Sequence, residues 1–233
     1  MNKSAFVVGY TGEVGKVLVE ELIDSKIFSR VVLIGRREVK YEEDTHQKLE
    51  QKVIDFDDIE SHSSVFSGLD VGYCCLGTTR GKSGKDGFYK VDHDYVVNSA
   101  KLAKSEGCKH FNLVSSQGAN KDSSLLYPKT KGEVEEELKG MGFDRLSIYR
   151  PALLMCNRQE SRWGEAAARF LMKPVQAAFP TWITVPTKTV AKAMITATVS
   201  PSNQSVEVFD NKAIHLLAGY SKSKKSKDDA EKK

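Results

Sequence analysis

Gly9-Tyr10-Thr11-Gly12-Glu13-Val14-Gly15 joins a short apolar run, Ala5–Val8, to a charged segment, Glu13–Asp24. Within that segment Val14, Val17, Leu18 and Leu22 recur at i, i+3, i+4 and i+8, the stripe of an amphipathic helix. Strand, glycines, helix is the context in which a G-x-x-G-x-x-G spacing carries chemistry. One glycine makes a tight turn, one admits a pyrophosphate to the backbone, and one lets the helix pack closely on the strand. Amides at the helix start then hold the phosphates. The reading is a dinucleotide site floored by Gly9, Gly12 and Gly15; the alternative is a turn that binds nothing.

Outward from this loop, apolar runs at Val31–Ile34, Lys52–Asp55, Val71–Leu76, His110–Val114 and Arg145–Tyr149 read as strands. Val91–Lys104 and Pro128–Lys139 between them read as helices. Near-continuous apolar strands separated by helices predict parallel pairing, both sheet faces covered and right-handed crossovers. The expected fold class is α/β, a Rossmann-type doubly wound parallel sheet. After Arg150-Pro151 the pattern loosens. Gly164–Ala178 and Val190–Val199 read as helical, Val206–Phe209 as a short strand and Ala213–Leu217 as a last turn. We expect a small C-terminal elaboration at the carboxyl edge of the sheet. Residues 1–220 then form a single NAD(P)-binding Rossmann-like domain. Residues 221–233 hold no large apolar side chain and read as a disordered Lys-rich tail.

Charge narrows the partners. The chain has 35 Lys and Arg against 31 Asp and Glu, a formal +4. Residues 221–233 contribute six Lys and three acids, leaving 29 basic and 28 acidic residues in the remainder. That remainder is near neutral and lacks a basic face with interleaved aromatics, so no direct nucleic-acid contact is expected. No apolar run approaches the roughly 20 residues that span a bilayer. The start, Met1–Gly9, lacks a secretory pattern, and Cys74, Cys75, Cys108 and Cys156 make no C-x-x-C pair. Reduced thiols, no metal site and a cytoplasmic chain are the expectation.

Gly35-Arg36-Arg37 follows the second strand, where an acid would bind the ribose hydroxyls of NAD. Two guanidiniums suit a 2′-phosphate instead, which favours NADPH over NADH; solvated surface arginines are the alternative. Asp55 and Phe56 close the third strand, placed to meet an adenine by side chain and backbone; a helix-capping aspartate is the alternative. Leu76, Gly77 and Thr78 end the fourth, where the glycine leaves room beside ribose and pyrophosphate and the threonine bonds phosphate or shapes the loop.

Ser115-Ser116 lies just past the fifth strand, and Tyr127 and Lys131 follow as Y-x-x-x-K. Four residues on a helix place both side chains on one face. A phenol of pKa about 10 is a poor acid–base catalyst at neutral pH, and a neighbouring ammonium favours its ionised form. Tyr127 can then exchange a proton with a substrate oxygen. Lys131 holds the nicotinamide ribose, and Ser115 or Ser116 donates to the carbonyl oxygen. Surface pairing is the alternative for the Tyr–Lys spacing. Arg150-Pro151-Ala152-Leu153-Leu154 ends the sixth strand near the carboxamide, and Arg162 lies in a polar loop able to cover the cofactor.

Together these motifs resemble the atypical branch of the short-chain dehydrogenase/reductase superfamily. Cys75-Leu76-Gly77-Thr78-Thr79-Arg80-Gly81-Lys82, Gly107-Cys108-Lys109-His110-Phe111-Asn112-Leu113 and Arg158-Gln159-Glu160-Ser161-Arg162 resemble the Tat-interactive protein family of animal oxidoreductases. The resemblance runs from Ala5 to Leu217. It implies a Rossmann-type NADPH-binding oxidoreductase with Tyr127 as catalytic residue. It implies cofactor contacts at Thr11, Gly12, Glu13, Val14, Arg36, Arg37, Leu76, Gly77, Tyr127, Lys131, Leu154 and Arg162. It further implies pro-apoptotic roles, partners in nuclear import or transcription, and a nuclear or outer-mitochondrial-membrane location as alternatives to the cytoplasm. Two functions compete on this sequence. One is an NADPH-dependent reductase of a small carbonyl or alcohol. The other is an NADPH-binding regulatory or scaffold protein with little turnover.

Overall fold

β1 (Lys3–Val8) is buried over its last four residues. It lies between β2 (Phe28–Gly35) and β4 (Val71–Cys74), parallel to both. β3 (Leu49–Val53) extends the sheet beyond β2. On the other side β5 (His110–Val114), β6 (Arg145–Tyr149) and β9 (Val206–Phe209) follow β4. The order is β3-β2-β1-β4-β5-β6-β9, parallel throughout. The expected doubly wound α/β sheet is the one observed. The computed structural model describes residues 3–25, 27–41, 49–155 and 184–219.

Alternation along β1 shows why both faces need helices. Ala5 and Val7 join a core cluster with Leu18, Val19 and Leu22 of α1 (Glu13–Asp24) and Val190, Ala191 and Met194 of α5 (Thr187–Val199). Phe6 and Val8 point the other way. They cluster with Val96 and Ala100 of α3 (Tyr95–Ser105) and Val134 and Leu138 of α4 (Leu126–Gly140). Each fully buried Leu, Val or Phe contributes roughly 1.5–3 kcal/mol, so two cores hold one strand from opposite sides.

Several boundaries differ from the sequence reading. β3 runs Leu49–Val53 rather than Lys52–Asp55, because it pairs Leu49 with Val31 and Val53 with Gly35 and then runs out of partner. Asp55 leaves the strand and caps a 3-10 segment, Phe56–Phe66, by accepting from Asp57 N at 2.9 Å. β4 stops at Cys74. A helix the sequence did not suggest, α2 (Arg80–Tyr89), contains three glycines that mask its pattern; Gly84 sits at φ +69 inside it. Between α2 and α3 the chain makes a π-helical turn, Lys90–Asp94, and one such turn often marks a functional position.

The C-terminal part is also corrected. Val206–Phe209, expected within the C-terminal elaboration, is the seventh strand of the main sheet, beside β6. α5 lies against α1, with Lys188 3.4 Å from Glu21. β7 (Leu153–Met155) and β8 (Thr184–Pro186) form a small parallel pair. α6 (Asn211–Leu217) closes the described chain, capped by Asp210, which accepts from Ala213 N at 2.7 Å. The helix expected at Gly164–Ala178, Cys156, Arg162 and the tail lie outside the described residues. No described helix is long and apolar enough to cross a membrane.

Candidate functional site

Strand order reverses at β1 and β4, the switch point outside whose carboxyl ends α/β folds form their ligand crevice. The loops leaving both strands are built by close backbone approach. Gly9 has φ +79, and a Cβ there would lie 2.5 Å from the Cys75 carbonyl carbon. Only glycine tolerates both conditions. At Gly15 a Cβ would lie 2.2 Å from the Gly9 carbonyl oxygen, which lets α1 start directly against the turn. Gly12 donates to the Gly9 carbonyl at 3.0 Å and occupies the N-cap of α1 with no side-chain cap. The first-turn amides around Glu13 and Val14, with Thr11 beside them, therefore keep donors for an anion.

Arg36 and Arg37 leave the end of β2 exposed, and neither forms an ion pair among the described residues. Phe56 turns its ring into the core, its centroid 5.2 Å from that of Tyr95. The Asp55 carboxylate is exposed and already accepts from Asp57 N.

Across the crevice the loop after β4 holds Leu76, Gly77 and Thr78. The Thr78 amide donates to Asp92 Oδ2 at 2.6 Å, and a Cβ on Gly77 would sit 3.4 Å from Asp92 Oδ1. Asp92, carried inward by the π turn, is 1% exposed. Its other oxygen lies 2.8 Å from Lys131 Nζ. Burial works against the Lys131 ammonium. Asp92 and nearby Tyr127 outweigh it, and the lysine pKa stands above its ordinary value. Thr79 Oγ1 beside them is buried with no hydrogen-bond partner among the described residues.

α4 sets out the remaining chemistry along one stripe. Tyr127 is 45% exposed, its ring 5.8 Å from that of Phe88. Lys131 is one turn on and buried, and Glu135 a further turn on and 1% exposed. Glu135 accepts from Arg150 Nη2 at 2.5 Å and Nε at 3.0 Å, and from Ser115 Oγ at 2.5 Å. The Ser115 hydroxyl is thus directed into α4. Ser116 is half-buried at the strand end, and its hydroxyl donates to the Gln117 carbonyl at 3.2 Å. Leu154 lies on β7, not at the end of β6, opposite Val185. Gly132 lets α4 approach the 120–121 backbone, where a Cβ would come within 2.1 Å of Lys121 N.

Asp92 and Glu135 escaped the sequence reading. Glu135 carried a usable signal: it continues the four-residue spacing of Tyr127 and Lys131. Asp92 carried a weaker one, an acid inside an otherwise apolar helical stripe. An uncapped helix start behind two sterically required glycines, and, among the described residues, two arginines without an ion pair and a threonine hydroxyl without a hydrogen bond fit a bound dinucleotide.

Comparison with known proteins agrees. A family model described as NAD(P)H-binding matches residues 9–201. The HTATIP2 protein of Rattus norvegicus is 50% identical over 216 residues, 92% of this chain and 89% of its own. The protein fmp52, mitochondrial, of Aspergillus niger is 40% identical over 172 residues, 70% of this chain and 71% of its own. Among solved structures, MoeE5 in complex with UDP-glucuronic acid and NAD superposes with a TM-score of 0.68 at 13% identity, over 89% of this chain and 75% of that one. UDP-glucuronic acid 4-epimerase from Bacillus cereus in complex with NAD gives 0.67 at 15% identity, over 89% and 77%. At such identities the two structures speak for the fold alone. Sequence, crevice and relatives converge: this chain belongs to the NAD(P)H-binding family of Rossmann-type proteins, in the group that includes rat HTATIP2.

Proposed function

We propose that the protein is an NADPH-dependent oxidoreductase of the short-chain type, acting on a small carbonyl or alcohol. The observation that carries this reading is the α4 stripe: an exposed phenol one turn from a buried lysine, which Asp92 ties to the loop after β4. The glycine turn, with Gly12 at its helix start, and the amides of Thr11, Glu13 and Val14 hold the pyrophosphate. Arg36 and Arg37 hold the 2′-phosphate; Asp55 and the Phe56 backbone flank the adenine. Gly77 and Thr78 border the ribose, and Leu154 offers backbone to the carboxamide. When bound, the reduced cofactor supplies a hydride to the carbonyl carbon. Tyr127 delivers the proton to the carbonyl oxygen and is reprotonated from solvent. Lys131 fixes the ribose and steadies the phenol. Ser116 donates to the developing oxyanion, because it has only an exposed 3.2 Å contact with the Gln117 carbonyl to give up, while Ser115 is buried on Glu135.

The test is a carbonyl screen following NADPH oxidation, with Tyr127→Phe as control. Turnover that vanishes in Tyr127→Phe while NADPH affinity stays within about three-fold supports the reading; unchanged turnover removes Tyr127 from it. NADPH should also raise the melting temperature more than NADH at equal concentration. Equal protection overturns the phosphate assignment.

A second reading rests on one observation. Lys131 is already paired with Asp92, and Ser115 already donates to Glu135, which suits a protein that binds NADPH and turns over little. A screen without any Tyr127-dependent substrate, in a protein that NADPH still stabilises, favours it.

A further inference from the structure

The two arginines reach solvent, but the backbone that carries them is fastened. Tyr10 stands inside the glycine turn, yet it is 1% exposed. Its ring lies on Gly35, where a Cβ would come within 2.6 Å of Tyr10 Cε1. From there the Tyr10 hydroxyl donates to the Arg37 carbonyl. Gln51 of β3 grips the same segment two residues on. Its Oε1 accepts from Val39 N at 2.8 Å, and its Nε2 donates to the Val39 carbonyl at 2.8 Å. The two anchors adjoin, with Tyr10 Oη 3.4 Å from Gln51 Oε1. Val39 and Tyr41 pack on the cluster that contains Tyr10, and Ile54 N donates to the Gly35 carbonyl at 2.9 Å. Residues 35, 37 and 39 are thus each tied by a backbone group, while the Arg36 and Arg37 side chains are exposed and form no ion pair among the described residues.

A free loop bearing two arginines would lose conformational entropy on closing over a phosphate. A fastened one has lost it already. We propose that Tyr10 and Gln51 are positioning residues for 2′-phosphate recognition, acting through the backbone of Arg36 and Arg37. This rests on reading those arginines as phosphate ligands. Neither residue touches the phosphate, so their effect is on selectivity between two dinucleotides. A cofactor with a hydroxyl in place of the 2′-phosphate has little to gain from a prepared arginine pair.

Wild-type protein, Tyr10→Phe, Gln51→Met and Arg36→Ala/Arg37→Ala would be titrated with NADPH and with NADH by fluorescence. Tyr10→Phe keeps the ring on Gly35 and removes only the hydroxyl. It should weaken NADPH about five-fold while NADH stays within about two-fold, the scale of one hydrogen bond. Gln51→Met, which loses two bonds to Val39, should weaken NADPH by about ten-fold or more on the same scale, again sparing NADH. Equal weakening of both cofactors would mean a merely structural role and overturns the proposal, as does an unchanged ratio in both variants. If wild type binds the two cofactors equally and the arginine variant loses nothing, the phosphate reading itself has failed. If wild type prefers NADPH through its arginines and the two anchor variants keep that preference, only the positioning inference has failed.

Discussion

On the β1–α1–β2 side of the crevice, position is set by close packing. A Cβ on Gly9, Gly15 or Gly35 would meet another atom within 2.6 Å, and the loop of Arg36 and Arg37 is tied through its backbone. On the β4–β5–β6 side, position is set by charge taken out of water. Asp92 meets Lys131, Glu135 meets Arg150 and Ser115, and Arg145 meets Glu207 at 2.7 Å. The first side depends on shape. The second depends on each partner keeping its protonation state, because an unpaired buried charge is costly. A surface that must bind phosphates needs open donors, while one that must move a proton needs titratable groups held in place. On the proposed function, each side is built to its task.

The comparison breaks most sharply at Asp92. Asp92→Asn should leave the Lys131 ammonium buried without a counter-charge and lower stability by about 3–5 kcal/mol in urea unfolding. Adding Lys131→Met should recover most of that loss, since two neutral partners need no pairing. A single variant as stable as wild type would show that the pair is not under strain from burial.

On the steric side, Gly9→Ala meets both a left-handed φ and the Cys75 backbone. It should cost about 2–5 kcal/mol and abolish dinucleotide protection in a melting assay. A variant that melts near wild type would mean that the two loops can part.

Acid should reach the charge-built side through His110. Burial, with Arg145 and Lys3 adding to it, holds the His110 imidazole down at about 3 from 6.5. Its folded pKa is depressed, so the unfolded chain binds a proton first as pH falls. The stability contribution is present above pH 6.5 and is lost from there down towards pH 3. Between pH 7 and pH 5 that amounts to about 2 kcal/mol, and His110→Gln should flatten the slope. An equal slope in the variant would place the acid sensitivity elsewhere.

The smallest effect is expected at Arg30, whose pair with Glu50 is 43% and 41% exposed. Arg30→Ala should cost under about 1 kcal/mol; a larger loss would give exposed charge a share in holding β2 to β3.

Spacing along the chain was enough to find the βα alternation, the glycine turn, the arginine pair and the Tyr127–Lys131 stripe. Each is a local pattern: an apolar period, a run of glycines, two residues one helical turn apart. The seventh strand was legible as a strand but not as a neighbour of β6, because pairing joins residues some sixty positions apart, Leu146 with Val206. Ser115 and Ser116 were indistinguishable in sequence. Only the arrival of Glu135 from α4 separates them, burying one hydroxyl and leaving the other at the rim. Asp92 needed a π turn to aim it inward, and no period of 3.6 announces that.

The sequence by itself determined the fold class and the residue types at the crevice, because secondary structure and turn chemistry follow from near neighbours. The tertiary structure decided which of those residues are free to act. Lys131 is paired, Ser115 is occupied, and Arg36 and Arg37 stand open on a backbone fastened by Tyr10 and Gln51. Burial and partnership are properties of the assembled core, set by segments that meet only when the chain has folded.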